Sequence, residues 1–505
     1  VSFTAASLQF QVYRLIQYDQ SDEHLGSQLA SFNLVPATYT QDVFRKLAII
    51  QWQNASEANL ASIMDSKASA VLVVLPDSTF SQGKLSSSQS QQWQKTEKYL
   101  TENNIRIPVY FIEESADVTS LIQEVESSSE TQPEFILAPK DVLQFVVKTD
   151  TPRPVDALML ENLQGLLQGG DEFDASAPTI AFVANYDALA VAPDMSFGAN
   201  SNASGVVALL ELSKIFSNLY TNLSTPSKYN LLFLLTSGGS INYAGAENWL
   251  NNPKSQNLID NIDFALCLDS IGEAAELNLH IARNASDDKL ADIQNFYDKM
   301  PALAEKMGLK LDFVKKTGSD QSSTPAWQHE RFSRKVLAAT ISNKETATTG
   351  IFDTGAIFDR SINVDILSKN IQFLAEAVSR YIFSGVTDDQ VFPDTYPLVD
   401  QDFVENMSNY LTSTSRFPSE VAVGSSINDS LYSVLQGHTT ETAKTSFKLD
   451  SYKFYTHKPA TLNIYRAKSW IIECYIAASI LAYLALLYVV LGFFSKSDDK
   501  AKRDQ

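Results

Sequence analysis

The chain has 505 residues, 44% of them hydrophobic, which is enough for two or three domains with cores of their own and excludes wholesale disorder. Its 39 basic and 59 acidic residues leave a net charge of −20, which repels phosphate backbones, so nucleic acid is not an expected partner. Two cysteines, Cys267 and Cys474, are too few for a disulfide framework.

Residues 1–150 alternate short β-rich runs, LAII (47–50), AVLVVLP (70–76) and IPVYFIE (107–113), with polar Ser- and Gln-rich stretches, which predicts a small α/β module. From 151 to 385 the alternation is regular. TIAFVANYDA (179–188), YNLLFLLTSGG (229–239), DFALCLDSIG (263–272) and RKVLAATIS (334–342) read as strands. SGVVALLELSKIFSNLY (204–220), AGAENWL (244–250), a stretch near Asp292 to Met307 and DILSKNIQFLAEAVSRYIF (365–383) read as helices. Continuous apolar strands joined by helices predict a mostly parallel sheet with helices on both faces, and ligand sites in such sheets lie beyond the strands' carboxyl ends. Residues 386–466, polar and punctuated by Pro393, Pro397 and Pro418, are expected to form a connecting subdomain.

Residues 467–495 contain the uncharged run Cys474–Phe494, roughly 31 Å long as a helix and matched to a bilayer core of about 30 Å, and 496–505 form a short tail. A buried core helix is the alternative. Orientation is not fixed by charge, since Lys453, Lys458, Arg466 and Lys468 before the span equal in number Lys496, Lys500, Lys502 and Arg503 after it. A first residue of Val1 in place of Met suggests a removed leader such as a signal peptide, which favours a lumenal bulk. Glycosylation sequons begin at Asn54, Asn202, Asn222, Asn284, Asn406 and Asn428. Asn202 is expected to stay unmodified because it lies in a helix-start motif.

Polar residues gather where the strands should end: Asn185 and Asp187, the run Gly198 to Val206 with Asn200, the SGGS run holding Gly239 and Ser240, Asp269, and His329. Each alone has an ordinary reading as a cap, a turn or a structural histidine. In this order they resemble the two-zinc aminopeptidase family, which includes catalytically silent members such as nicastrin. In that family a strand ends in His-x-Asp, a Gly-Ala-Asp-Asp-Asn-Ala-Ser-Gly run follows, the next strand ends in Glu-Glu, and an Asp and a late His complete the site. On that pattern Asn185 replaces the first zinc-binding His before Asp187, Asn200 replaces the bridging Asp, and Gly239 and Ser240 replace the paired glutamates. Asp269 and His329 keep their positions. A two-metal hydrolase needs carboxylates and imidazoles to hold its ions and a Glu to activate water, so the resemblance implies an inactive site with no cofactor.

The runs FQVYRLIQYD (10–19), VANYDALAVAPDMSFGANSNASGVVALLELSKIF (183–216) and AWQHERFSRK (326–335) narrow the resemblance to the nicalins, although a His is expected in that group where Asn185 stands. It implies a type I endoplasmic reticulum membrane glycoprotein, bulk lumenal and tail cytosolic. Its implied partners are a multipass membrane subunit, a large lumenal Nodal-modulator-like protein and the Sec translocon, in a scaffold that assists multipass membrane protein insertion. Two competing readings are a receptor for peptides in the old cleft and a working metallopeptidase with unusual ligands.

Overall fold

The computed structural model describes residues 8–80, 83, 85–130, 142–169, 177–222, 227–281, 287–315, 325–347, 355–383, 398–467 and 470–501. Its first part comprises β1 (Leu8–Arg14), β2 (Gln17–Gln20), β3 (Glu23–Ser27), β4 (Phe32–Leu34), β5 (Pro36–Thr38), β6 (Leu47–Gln51), β7 (Ala70–Leu75), β8 (Asn104–Ile105), β9 (Val109–Glu113) and β10 (Val142–Val147). Helices α1 (Glu57–Asp65), α2 (Ser87–Glu102) and α3 (Ala116–Glu130) join them. The three apolar runs read from the sequence are β6, β7 and β9, which pair in parallel. Helix α2 begins where Ser86 and Gln89 satisfy each other's backbone N–H in a capping box.

The second part comprises β11 (Met159–Leu167), β12 (Thr179–Asn185), β13 (Asn230–Thr236), β14 (Ile262–Leu268), β15 (Glu276–Ile281), β16 (Lys310–Lys315), β17 (Leu337–Ser342) and β18 (Glu441–Lys448). Its helices are α4 (Ser204–Asn222), α5 (Ala244–Asn251), α6 (Gln256–Asp260), α7 (Asp287–Lys306), α8 (His329–Phe332), α9 (Val364–Ile382), α10 (Gln401–Ser413) and α11 (Ser426–His438). The strands form one sheet in the order β16-β15-β17-β14-β12-β13-β11-β18. Its centre is parallel, β17-β14-β12-β13, and antiparallel pairings flank it. Alternate residues face opposite sides: Phe182, Phe233 and Leu266 pack with α4, α7 and α9, while Val183, Leu234 and Cys267 pack with α5, α6 and α8. This is the expected two-sided cover.

The last part, β19 (Lys453–Phe454), β20 (Ala460–Ala467) and α12 (Trp470–Ala501), corrects the expected division. The described residues of the expected subdomain 386–466 form no separate unit: α10, α11 and β18 complete the second part, whereas β20 lies in the first sheet between β1 and β10. Residues 1–150 therefore do not close a sheet by themselves. The strand escaped notice because only alternate residues, Leu462 and Ile464, enter the core. Strands β4 and β5 end the strand order yet are separated only by Val35, so the sheet curls back around Phe145, Leu72 and Ile464, with Val118, Leu121 and Val125 of α3 against them. Within α12, Cys474–Leu491 is long and apolar enough to cross a membrane, and no other described part of the chain covers it.

A chain truncated after Ser451 should therefore lose an interior strand of its first sheet and aggregate, whereas one truncated after Lys468 should stay folded. Circular dichroism melts and limited proteolysis of the two would check this.

Candidate functional site

The carboxyl ends of β12 and β13 meet through side chains. Asn185 closes β12 and is buried; its Nδ2 donates to the Asp187 carbonyl at 2.9 Å. Asp187 is fully buried, and its Oδ1 accepts the Gly239 N–H at 3.1 Å. Gly239 has to be glycine here, because an added Cβ would stand 1.9 Å from Asn185 Cγ. The Asn185 side chain thus fills the space that any side chain at 239 would enter. Ser240 lies half-buried in the turn that follows.

A second cluster forms at the start of α4. Gly198, at φ +53°, turns the chain into a short π-helical stretch, Ala199–Ala203, that runs into α4. Asn200 Oδ1 accepts the Gly272 N–H at 2.7 Å and its Nδ2 donates to Glu273 Oε2 at 3.1 Å. The buried carboxylate of Asp359 accepts the N–H groups of Asn200 and Ser201 at 2.7 and 2.8 Å, an anion at a helix N-terminus. Gly205 lets α4 touch β14, since a Cβ there would lie 2.3 Å from the Leu268 carbonyl.

Between the clusters lies Arg416, whose guanidinium is completely buried. It donates to the carbonyls of Leu411 (3.1 Å), Tyr186 (2.6 Å), Phe197 (2.5 Å) and Gly198 (2.8 Å). Burial lowers its pKa to about 10, while the nearby charges of Asp359 and Asp187 oppose that shift. Asp269, after β14, is partly exposed and accepts from Ser270 Oγ at 2.7 Å. Desolvation pushes its carboxyl up against the pull of Lys344. His329 opens α8, buried, with Nδ1 2.8 Å from Thr340 Oγ1 of β17.

Residues 162–326 match the model of peptidase family M28. The chain is 30% identical to the zebrafish (Danio rerio) protein "BOS complex subunit ncln", with 97% of this chain and 91% of that one covered. The chain belongs to the nicalin family. It is also 25% identical to the protein named "Nicalin" in Caenorhabditis elegans, with 95% of this chain and 90% of that one covered. Among solved structures, the gamma-secretase component nicastrin superposes with a TM-score of 0.62 at 11% identity, covering 92% of this chain and all of that one, which shows the shared fold.

The peptidase relationship implies a pair of zinc ions, and the residues present do not fit them. The amide of Asn185 donates within its own turn, Asn200 has both side-chain atoms engaged, and Gly239 offers no ligand. Among the described residues no group of three His, Cys, Asp or Glu side chains is placed to share a metal. Sequence reasoning missed Asp359, Glu273 and Arg416. No motif spacing marks them, and the only local hint is that Asp359 precedes the Asn363-capped start of α9. Of the sequons expected in this nicalin-family chain, Asn54 and Asn406 are exposed, whereas Asn284 lies outside the described residues, as does the side chain of Asn222. Asn428 is corrected: it is fully buried, donating to the Val421 and Ala422 carbonyls at 3.1 and 3.3 Å, so the folded chain cannot present it for glycosylation. Asn202 is partly buried, its Oδ1 accepting from Ser201 Oγ.

Two outcomes follow from these contacts. Gly239→Ala should destabilise the chain by about 1–3 kcal/mol through overpacking, and Asn185→Ala should remove most of that loss in the double variant, as measured by denaturant unfolding of the four-member cycle. The second concerns pH. Burial raises the carboxyls of Asp187 to about 6 and of Glu211 to about 7, so the folded chain keeps protons that the unfolded chain releases, and stability falls as pH rises from the ordinary carboxylate range towards 7. Asp187→Asn keeps an acceptor for Gly239 without the charge. Melting curves from pH 4 to 8 should show it flattening the decline below about pH 6 and raising the melting temperature above that pH.

Proposed function

We propose that the chain is a non-catalytic, membrane-anchored subunit of a multi-protein complex. The observation that carries this reading is the closure of the ancestral site on itself: Asn185 and Asn200 are amides engaged within the fold, and Gly239 makes room for Asn185. An asparagine keeps the shape of an aspartate but lacks the charge needed to hold two divalent cations. The naming of the zebrafish relative as a complex subunit supports an assembly role over a purely independent one.

On this reading α12 spans the endoplasmic reticulum membrane once, with the bulk lumenal and the tail cytosolic, and Asn54 and Asn406 stand open to glycosylation. The partners are a multipass membrane subunit, a large lumenal Nodal-modulator-like protein and the Sec translocon, and the assembly assists insertion of multipass membrane proteins. A receptor role for the cleft is a second reading, favoured by an open polar pocket of 510 Å³ beside Asn200.

Asp269 separates a structural from a metal-binding role. Asp269→Asn retains an acceptor for Ser270 and should leave melting temperature and partner co-purification in mild detergent near those of the unchanged chain, with or without a chelator. Asp269→Leu should lower both by leaving polar neighbours without partners. If Asp269→Asn and chelation each abolish assembly, the site holds a metal and the scaffold reading is wrong.

A further inference from the structure

The pocket beside Asn200 is lined by Glu273, Asp359, Arg360, Ser361 and Asn363, and it sits on a particular end of the first sheet. Arg360 pairs with Glu113, the last residue of β9, at 2.6 Å. Phe358 packs against Trp52 and Phe80, at ring separations of 5.3 and 5.8 Å, which follow β6 and β7. The wall of the pocket therefore rests on the carboxyl ends of β6, β7 and β9.

Strand β20 points the same way as β9, because both are antiparallel to β1. Continuing the β1–β9 register by two residues sets Glu113 opposite Gln11, and Gln11 pairs with Thr461. Ala467 lies six residues further on, roughly 20 Å at about 3.3 Å per residue. Only residues 468 and 469 separate it from α12, so this end of the sheet is held close to the helix.

We infer that the pocket opens on the membrane-facing side of the molecule and receives an extramembrane segment of another membrane-embedded chain. This rests on the reading that α12 spans a bilayer. The lining suits a polar peptide carrying a basic side chain. Glu273 is exposed, the charge of Arg360 is already matched by Glu113, and Arg360 Nη2 is buried without a partner, an N–H donor available to a peptide carbonyl. The set-back of roughly 20 Å puts the pocket beyond lipid headgroups anchored in the bilayer, yet about six extended residues of a loop cross that distance.

The test uses the full chain, with Cys474→Ser, in vesicles containing nickel-chelating lipid, and single nitroxide labels at Leu484→Cys, Ser361→Cys or Arg106→Cys. Leu484 lies in the apolar span, Ser361 lines the pocket and exposed Arg106 precedes the opposite, amino end of β9. The Leu484 label should show lipid-phase oxygen accessibility, and nickel should relax the Ser361 label several-fold more than the Arg106 label. A Leu484 label outside lipid would sink the membrane reading. A Leu484 label in lipid with Ser361 relaxed no more than Arg106 would overturn this inference alone. For the occupant, a photo-reactive residue at 361 in native membranes should give adducts that map to residues flanking a span of an integral membrane protein and that fall several-fold with Glu273→Lys. Adducts confined to lipid or to soluble proteins would overturn the proposed occupant.

Discussion

The guanidinium of Arg416 fixes the loop on which the site is built. Four carbonyls, two of them at Phe197 and Gly198 directly before the π-helical stretch that runs into α4, converge on one buried cation. Such a group is tolerated only when its donors are engaged and compensating charge is close, and Asp359 is the main source of that charge. The same Asp359 satisfies the first N–H groups of the helical turn that carries Asn200. One charged pair thus sets the position of α4, of the turn after β12 and of the segment before α9. None of these contacts needs a metal at the carboxyl ends of the strands.

This arrangement differs from that of a two-metal hydrolase at the same ends of the strands. In a two-metal hydrolase, the ions themselves compensate converging carboxylates. Here the converging groups are amides, a glycine and a carboxylate whose pKa burial has pushed up; Asn185 Nδ2 and Asp187 Oδ1 are hydrogen-bonded within the fold, while Asn185 Oδ1 and Asp187 Oδ2 are buried without a partner. Asn185 and Gly239 are closely coupled, since an added side chain at 239 would enter the space that Asn185 fills.

Much of the second part was legible in the sequence because strands buried on both faces leave continuous apolar runs: β12, β13, β14 and β17 lie where those runs are. Strands with one polar face, such as β18 and β20, were hidden among loops, and with them the way in which the C-terminal region completes both sheets. The positions Asn185, Asp187, Asn200 and Gly239 could be named because a motif orders them along the chain. Arg416 and Asp359 could not, since a lone Arg in a Ser-rich turn and a lone Asp before a helix look like surface residues until the fold encloses them. Asn428 illustrates the same limit from the other side: its sequon is plain in the sequence, and only its packing beneath Val421 shows that it is closed.

The most direct measurement is a zinc titration of the purified full chain in detergent against a chromophoric chelator of known affinity at neutral pH. A site closed by its own hydrogen bonds should leave the chelator's zinc untouched, with no stoichiometric binding to the protein. Two zinc ions held per chain in competition with the chelator would contradict that closure and restore the case for a working metallopeptidase.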